Sequence, residues 1–87
     1  MGNLYLVDRP FGENGLNLAA EDTDAKIVLI QDGVHFDCGS VAGIETYAIR
    51  RDAERRGQAG RLPAFVELID YGQLVDLIAA HKVINFA

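Results

Sequence analysis

The sequence predicts an α/β domain in which a mostly parallel sheet carries helices on both faces. Residues 27–30 are four consecutive apolar side chains, three of them β-branched, and a Gln-Asp-Gly turn signal follows them. Such a run is too short for a buried helix and is typical of a strand covered on both faces, as in parallel sheets. Strand-like and helix-like segments also alternate along the chain, which favours parallel strands joined by helices.

Length and composition restrict the classes of protein that the chain can represent. Its 87 residues predict one domain, and the 49% hydrophobic content is generous for that size, which favours oligomerisation. The net charge of −5 argues against nonspecific binding to nucleic acid or membranes. A single cysteine excludes an intrachain disulfide. No basic-then-apolar segment opens the sequence, and no apolar run approaches about 18 residues, so we expect a soluble, cytoplasmic protein.

The first third of the chain predicts two strands and one helix. Residues 3–7 form an apolar run that ends before Pro10, because proline lacks the N–H that a strand needs. After a loop, a short helix is expected at residues 15–20, with Asn14 as its N-cap. The second strand is expected at residues 26–30.

The middle of the chain is less regular. Val34, Phe36 and Val41 would face the core from a short helix that ends near Gly39 or Gly43.

Further along, residues 45–49 are rich in strand formers and predict the third strand. Residues 52–56 then predict a short helix, capped by Asp52 and stopped by Gly57. The fourth strand is expected at residues 65–69.

The strongest helix signal follows the fourth strand. Asp70 is the predicted N-cap, and Gln73 stands three residues later, as in a capping box. Apolar side chains at i, i+3, i+4 and i+7 form one stripe, which predicts an amphipathic helix; they are Tyr71, Leu74, Val75 and Ile78. His81 is expected at the end of this helix, and residues 83–86 are the last predicted strand.

Several motifs in this order resemble one family. They are Leu-Ile-Gln-Asp-Gly-Val at 29–34, Tyr-Ala-Ile at 47–49, Arg-Arg-Gly at 55–57, Leu-Ile-Asp-Tyr at 68–71 with Leu-Val-Asp-Leu at 74–77, and Val-Ile-Asn-Phe at 83–86. Together they resemble the DsrH/TusB family of the DsrE/DsrF/DsrH superfamily over nearly the whole chain. The resemblance implies a three-layer α/β/α sandwich whose mostly parallel sheet has about five short strands.

The resemblance also implies a function and partners. It implies a subunit of a sulfur-relay complex, typically a heterohexamer with DsrE-like and DsrF-like paralogous chains. Such complexes pass persulfide sulfur toward 2-thiouridine at the tRNA wobble position, which would connect the chain to tRNA indirectly, or they serve dissimilatory sulfur oxidation. No cofactor, metal or membrane is implied.

A sulfur relay needs a thiolate, and the matching positions here lack one. The active paralogue carries its cysteine just before the Arg-Arg-Gly-like motif, a position that corresponds to Ile49. Some family members carry a cysteine on the first helix, at the position of Ala19. The resemblance therefore implies a non-catalytic subunit.

Cys38 is the only thiol in the chain. On a helix it would share a face with His35, three residues earlier, and an imidazole neighbour lowers a thiol pKa. The alternative function is thus a sulfur carrier that acts through Cys38. A free cysteine is more often a small buried hydrophobic residue, which argues against this alternative. The two side chains are also too few for a zinc site.

The turn after the second strand and an arginine cluster are candidate interface or pocket residues. Gln31, Asp32 and Gly33 follow a strand end, although Asp32 as a helix cap and Gly33 as a tight turn would explain two of them structurally. Five of the eight basic side chains fall within residues 50–61 and would meet an acidic partner or RNA phosphate; they are Arg50, Arg51, Arg55, Arg56 and Arg61. The alternative is a solvated helix face, and no aromatic residues interleave with them. A free-standing homo-oligomeric binding domain is the remaining alternative function.

Overall fold

The structure is a computed structural model that describes residues 2–9, 11–35, 39–41 and 43–86. Its elements in chain order are β1 (Asn3–Val7), α1 (Gly12–Glu21), β2 (Ala25–Leu29), two 3₁₀ turns (Gln31–His35 and Gly39–Val41), β3 (Glu45–Ile49), α2 (Arg50–Arg55), β4 (Val66–Ile69), α3 (Tyr71–Ala80) and β5 (Lys82–Phe86).

All five strands form one parallel sheet with the order β4-β3-β2-β1-β5. β2 lies at the centre, and the side chains of Ile27, Val28 and Leu29 are fully buried. The prediction that this apolar run is a strand covered on both faces is therefore confirmed.

Helices cover both faces of the sheet, which confirms the three-layer α/β/α fold. Leu16 and Ala19 of α1, Val34 and Val41 of the 3₁₀ turns and Ala53 of α2 pack on one face. Among the described residues, α3 is the helix that covers the opposite face. Its Leu74 packs there against a second buried cluster, which contains Leu4, Val28, Ile49 and Ile69. Within the described part of the chain, no helix has the length and apolarity needed to cross a membrane.

α1 begins earlier than the sequence predicted. It starts at Gly12, and Phe11 occupies the N-cap position without a side-chain hydrogen bond, so the prediction of Asn14 as the cap was wrong. The first turn is closed by the backbone alone, because the Gly15 N–H donates to the Phe11 carbonyl oxygen at 3.2 Å. Gly15 also allows the helix to lie close to β5. A Cβ at Gly15 would lie 2.8 Å from the ring of Phe86.

The segment after β2 forms two short 3₁₀ turns instead of one helix. Val34 and Val41 are buried there, as expected. Phe36 lies outside the described residues.

α2 also begins earlier than predicted, directly after β3. Ile49 is its N-cap residue and offers no side-chain hydrogen bond, so Asp52 lies inside the helix and the prediction that it caps the helix was wrong. Gly57 follows the helix with a φ of 66°, a conformation that glycine favours, which confirms it as the stop.

α3 has the predicted capping box. The Asp70 carboxylate accepts from the Gln73 backbone N–H at 2.7 Å, and the Gln73 side chain accepts from the Asp70 N–H at 3.0 Å. The predicted apolar stripe is not buried as a unit, however. Leu74 is buried, whereas Tyr71, Val75 and Ile78 are 47%, 62% and 40% exposed. α3 therefore carries apolar side chains both toward the sheet and away from it.

Candidate functional site at the carboxyl ends of the strands

The segments that follow the neighbouring strands β3 and β4 lead to opposite faces of the sheet. α2 follows β3 and packs through Ala53 on one face, whereas α3 follows β4 and packs through Leu74 on the other. In parallel sheets, a crevice for ligands opens at such a switch point, outside the carboxyl ends of the strands. A cleft of about 380 Å³ lies there. It is lined by Ile49, Arg50, Arg51, Glu54, Asp70 and Tyr71.

Asp52 joins three segments beside this cleft. Its side chain is nearly buried, and Oδ2 accepts the Gln31 backbone N–H at 2.8 Å. The Tyr71 hydroxyl donates to the same oxygen at 3.1 Å, and Arg56 Nη1 lies 3.9 Å from Oδ1. Hydrogen bonds of this kind are what allow a carboxylate to be buried. Asp52 thus ties the end of β2, α2 and the start of α3 together.

The Tyr71 hydroxyl is held in its protonated, donating form. Partial burial raises the pKa of Tyr71, and the hydrogen bond to Asp52 raises it further, although Arg55 and Arg51 oppose this electrostatically. The ring is therefore fixed at its hydroxyl end while 47% of the residue stays exposed.

The turn after β2 contains a strained residue. Gln31 has a φ of 46°, in the left-handed region that is uncommon for residues other than glycine. Asp32 is the second residue of the 3₁₀ turn, so the prediction that it caps a helix was wrong. Its carboxylate accepts from Arg56 Nε at 2.8 Å, and this hydrogen bond lowers the pKa of Asp32.

Gly33 is needed for a close approach between two backbones. A Cβ there would lie 2.0 Å from the carbonyl oxygen of Val7. Gly33 also lies in a tight turn, as predicted: its N–H donates to the Ile30 carbonyl oxygen at 2.8 Å, although its φ is not positive.

The arginine cluster divides into two groups. The Arg56 guanidinium lies beside the carboxylates of Asp32 and Asp52. The other arginines are exposed; these are Arg50, Arg51, Arg55 and Arg61. Arg50 and Arg51 line the cleft, and Arg50 donates one weak hydrogen bond, at 3.4 Å, to the Leu68 carbonyl oxygen. No aromatic residue interleaves with these arginines in the sequence, but the fold places Tyr71 in the same cleft lining as Arg50 and Arg51.

The fold also locates the remaining candidates. Ile49 is fully buried at the end of β3, and Ala19 is buried on α1. His35 is exposed, while Cys38 lies outside the described residues. The described residues contain no group of three or more His, Cys, Asp or Glu side chains that would hold a metal ion.

Asp52 and Tyr71 were not identified as site residues from the sequence. Both stand within three residues of a strand end, and that position is the signal that would have found them. Their contact spans 19 residues of sequence, so no local pattern reports it.

Comparison with known proteins gives a structural relative and a family. The crystal structure of the ychN protein from E. coli matches with a TM-score of 0.75, covers 99% of both chains and is 18% identical, a likeness that shows the shared fold. No curated protein sequence matches the chain. The family described as "DsrH like protein" matches residues 10–84. The chain therefore belongs to the DsrH-like family.

Proposed function

We propose that this chain is a non-catalytic subunit of a sulfur-relay complex and binds DsrE-like and DsrF-like paralogous chains. Membership of the DsrH-like family supports the role in sulfur relay. The observation that carries the non-catalytic role is Ile49. A relay step needs a thiolate nucleophile. The family resemblance aligns the cysteine position of the active paralogue with about Ile49, at the end of β3, and this side chain is aliphatic and buried.

The outward side of α3 is the surface that would seat a paralogous chain. Val75 and Ile78 are 62% and 40% exposed on it, and Asp76 is the one charged side chain of this ten-residue helix. A helix that is apolar nearly all round is typical of an element buried on both sides. A partner chain would supply the second covering layer and bury these side chains.

The space beside α3 supports the same assignment. A cleft of about 310 Å³ remains between α3 and the β3–β4 edge of the sheet. It is lined by Tyr47, Glu67, Ile69, Gln73, Asp76 and Leu77. Side chains of a partner would fill this cleft as they cover α3. The complex would then serve tRNA wobble-uridine 2-thiolation or sulfur oxidation, according to the chain that accepts sulfur from it.

Co-expression with the DsrE-like and DsrF-like chains encoded in the same genome tests the proposal. We expect the three chains to co-purify as one complex. Val75→Arg places a charge on the outward side of α3 and should remove this chain from the complex. Asn17→Arg, on an exposed position of α1, is the matched control and should leave the complex intact. Failure of the three wild-type chains to co-purify would contradict the proposal.

Mass spectrometry of the complex after loading with a persulfide donor separates the proposal from its alternative. The added sulfur should appear on a cysteine of a partner chain and not on Cys38. A sulfur adduct on Cys38 would instead make this chain a carrier in its own right.

A further inference from the structure

We propose that the cleft at the carboxyl ends of β3 and β4 binds a small organic monoanion, whose acidic group pairs with Arg50 and Arg51 while its apolar part lies against Tyr71. This inference goes beyond the proposed docking role and does not depend on it, because every residue of the cleft belongs to this one chain.

The place of the cleft in the fold is the first reason. It lies where the connections after two neighbouring parallel strands go to opposite faces, and ligands of open α/β sheets bind at that place. Its volume of about 380 Å³ falls within the range of small-molecule sites, roughly 300–1,000 Å³.

Unused hydrogen-bond donors in the cleft are the second reason. A guanidinium group has five N–H donors that match the geometry of a carboxylate. Arg50 uses one of them weakly, on the Leu68 carbonyl oxygen. Arg51 has no hydrogen-bond or ion-pair partner among the described residues. Both arginines of the cleft lining therefore have N–H donors available to an acidic group.

The carboxylates around the cleft restrict the charge of the ligand. Asp70 already accepts the Gln73 N–H as the cap of α3, and Glu54 lies on the lining one helical turn after Arg50. Their negative charges would repel a second charge on the ligand. The cleft thus fits a monocarboxylate better than a phosphate dianion.

A fixed aromatic wall is the third reason. The hydrogen bond from the Tyr71 hydroxyl to Asp52 holds the ring in place without using the donors of Arg50 or Arg51. A wall that is already positioned costs little conformational entropy on binding. The exposed part of the Tyr71 ring offers an apolar surface to a ligand such as an aromatic or aliphatic acid.

Titration of the ¹⁵N-labelled chain tests this site, with benzoate as the probe and amide chemical shifts as the readout. We expect saturable shifts confined to residues 49–54 and 70–73. Arg51→Gln should weaken benzoate binding at least tenfold, because it removes a hydrogen bond between two charged groups. Arg61→Gln makes the same charge change at an exposed site outside the cleft lining and should leave the affinity unchanged.

Two further titrations complete the test. Inorganic phosphate at pH 8, where it is mainly a dianion, should bind more weakly than benzoate, and an acidic pentapeptide should bind no better than benzoate does. The proposal would be overturned if the shifts do not saturate, if Arg51→Gln binds benzoate as tightly as wild type does, or if the peptide binds and benzoate does not. The amide spectrum of each variant also reports whether the fold is retained.

Discussion

At the scale of single residues, the Asp52 carboxylate is the group on which most of the site depends. We predict that Asp52→Ala lowers the free energy of unfolding by about 3 kcal/mol, because it removes the acceptor of the Gln31 N–H and of the Tyr71 hydroxyl and the negative charge beside Arg56. Tyr71→Phe removes one hydrogen bond and should cost about 1 kcal/mol. Urea unfolding of both variants measures the difference.

The double variant Asp52→Ala/Tyr71→Phe shows whether the two side chains act together. The double variant should lose less unfolding free energy than the two single variants lose in sum, because both single changes break the same hydrogen bond. Strict additivity, or an Asp52→Ala loss no larger than that of Tyr71→Phe, would contradict the central role of this carboxylate.

At the scale of elements, the connection from α1 to β2 depends on the ionised Asp22. Its carboxylate accepts from Asn3 Nδ2 at 2.8 Å, from the Asp24 backbone N–H at 2.9 Å and from the Tyr5 hydroxyl at 2.9 Å. These bonds, that to Asn3 first, lower the pKa of Asp22. A lowered carboxyl pKa stabilises the fold above the pKa of the unfolded chain, about 4, and this contribution is lost as pH falls through the lower folded value.

Asp22→Ala tests this pH dependence. The variant should be less stable than wild type at pH 6, and the gap in unfolding temperature should narrow as the pH falls through the lowered folded-state pKa of Asp22. Asn17→Ala changes an exposed side chain that does not ionise and is the control, with a nearly constant gap over the same range. Thermal unfolding at pH 2, 4 and 6 measures both gaps; a gap for Asp22→Ala that does not change with pH would refute the assignment.

The 3₁₀ turn after β2 packs on β1 through a glycine that admits no side chain. We predict that Gly33→Ala destabilises the protein by more than about 3 kcal/mol or prevents folding, because the added Cβ would meet the Val7 carbonyl oxygen at 2.0 Å. A Cβ at Gly60 would meet nothing within 4 Å, so Gly60→Ala should be neutral or stabilise by up to about 1 kcal/mol. Chemical unfolding compares them, and equal stability of the two variants would contradict the close approach.

The sequence predicted those features of the molecule that depend on neighbouring residues. The strand at β2 followed from a local apolar run, and the start of α3 followed from Asp70 and Gln73, which bond to each other across three residues. The starts of α1 and α2 were predicted wrongly because each helix follows a residue without a capping side chain, so no local signal marks it. The contact between Asp52 and Tyr71 was missed because it exists only when β3 and β4 lie side by side.

At the scale of the whole molecule, the two faces of the sheet differ in how completely helices cover them. One face carries α1, α2 and both 3₁₀ turns, whereas among the described elements α3 covers the other face, and its outward apolar side chains are exposed. Elements with few buried contacts open locally at a lower free energy than the core. We therefore predict that, in the isolated chain, α3 amides exchange with deuterium much faster than those of β2.

Addition of the DsrE-like and DsrF-like chains should slow exchange in α3, because a second covering layer removes the local opening. Exchange in β2 should change little, since its side chains are already fully buried in the isolated chain. α1 is the internal control, because the proposed partners cover the opposite face of the sheet. Hydrogen–deuterium exchange with mass spectrometry measures all three segments, and α3 amides that are already as protected as those of β2 in the isolated chain would contradict this view of the fold.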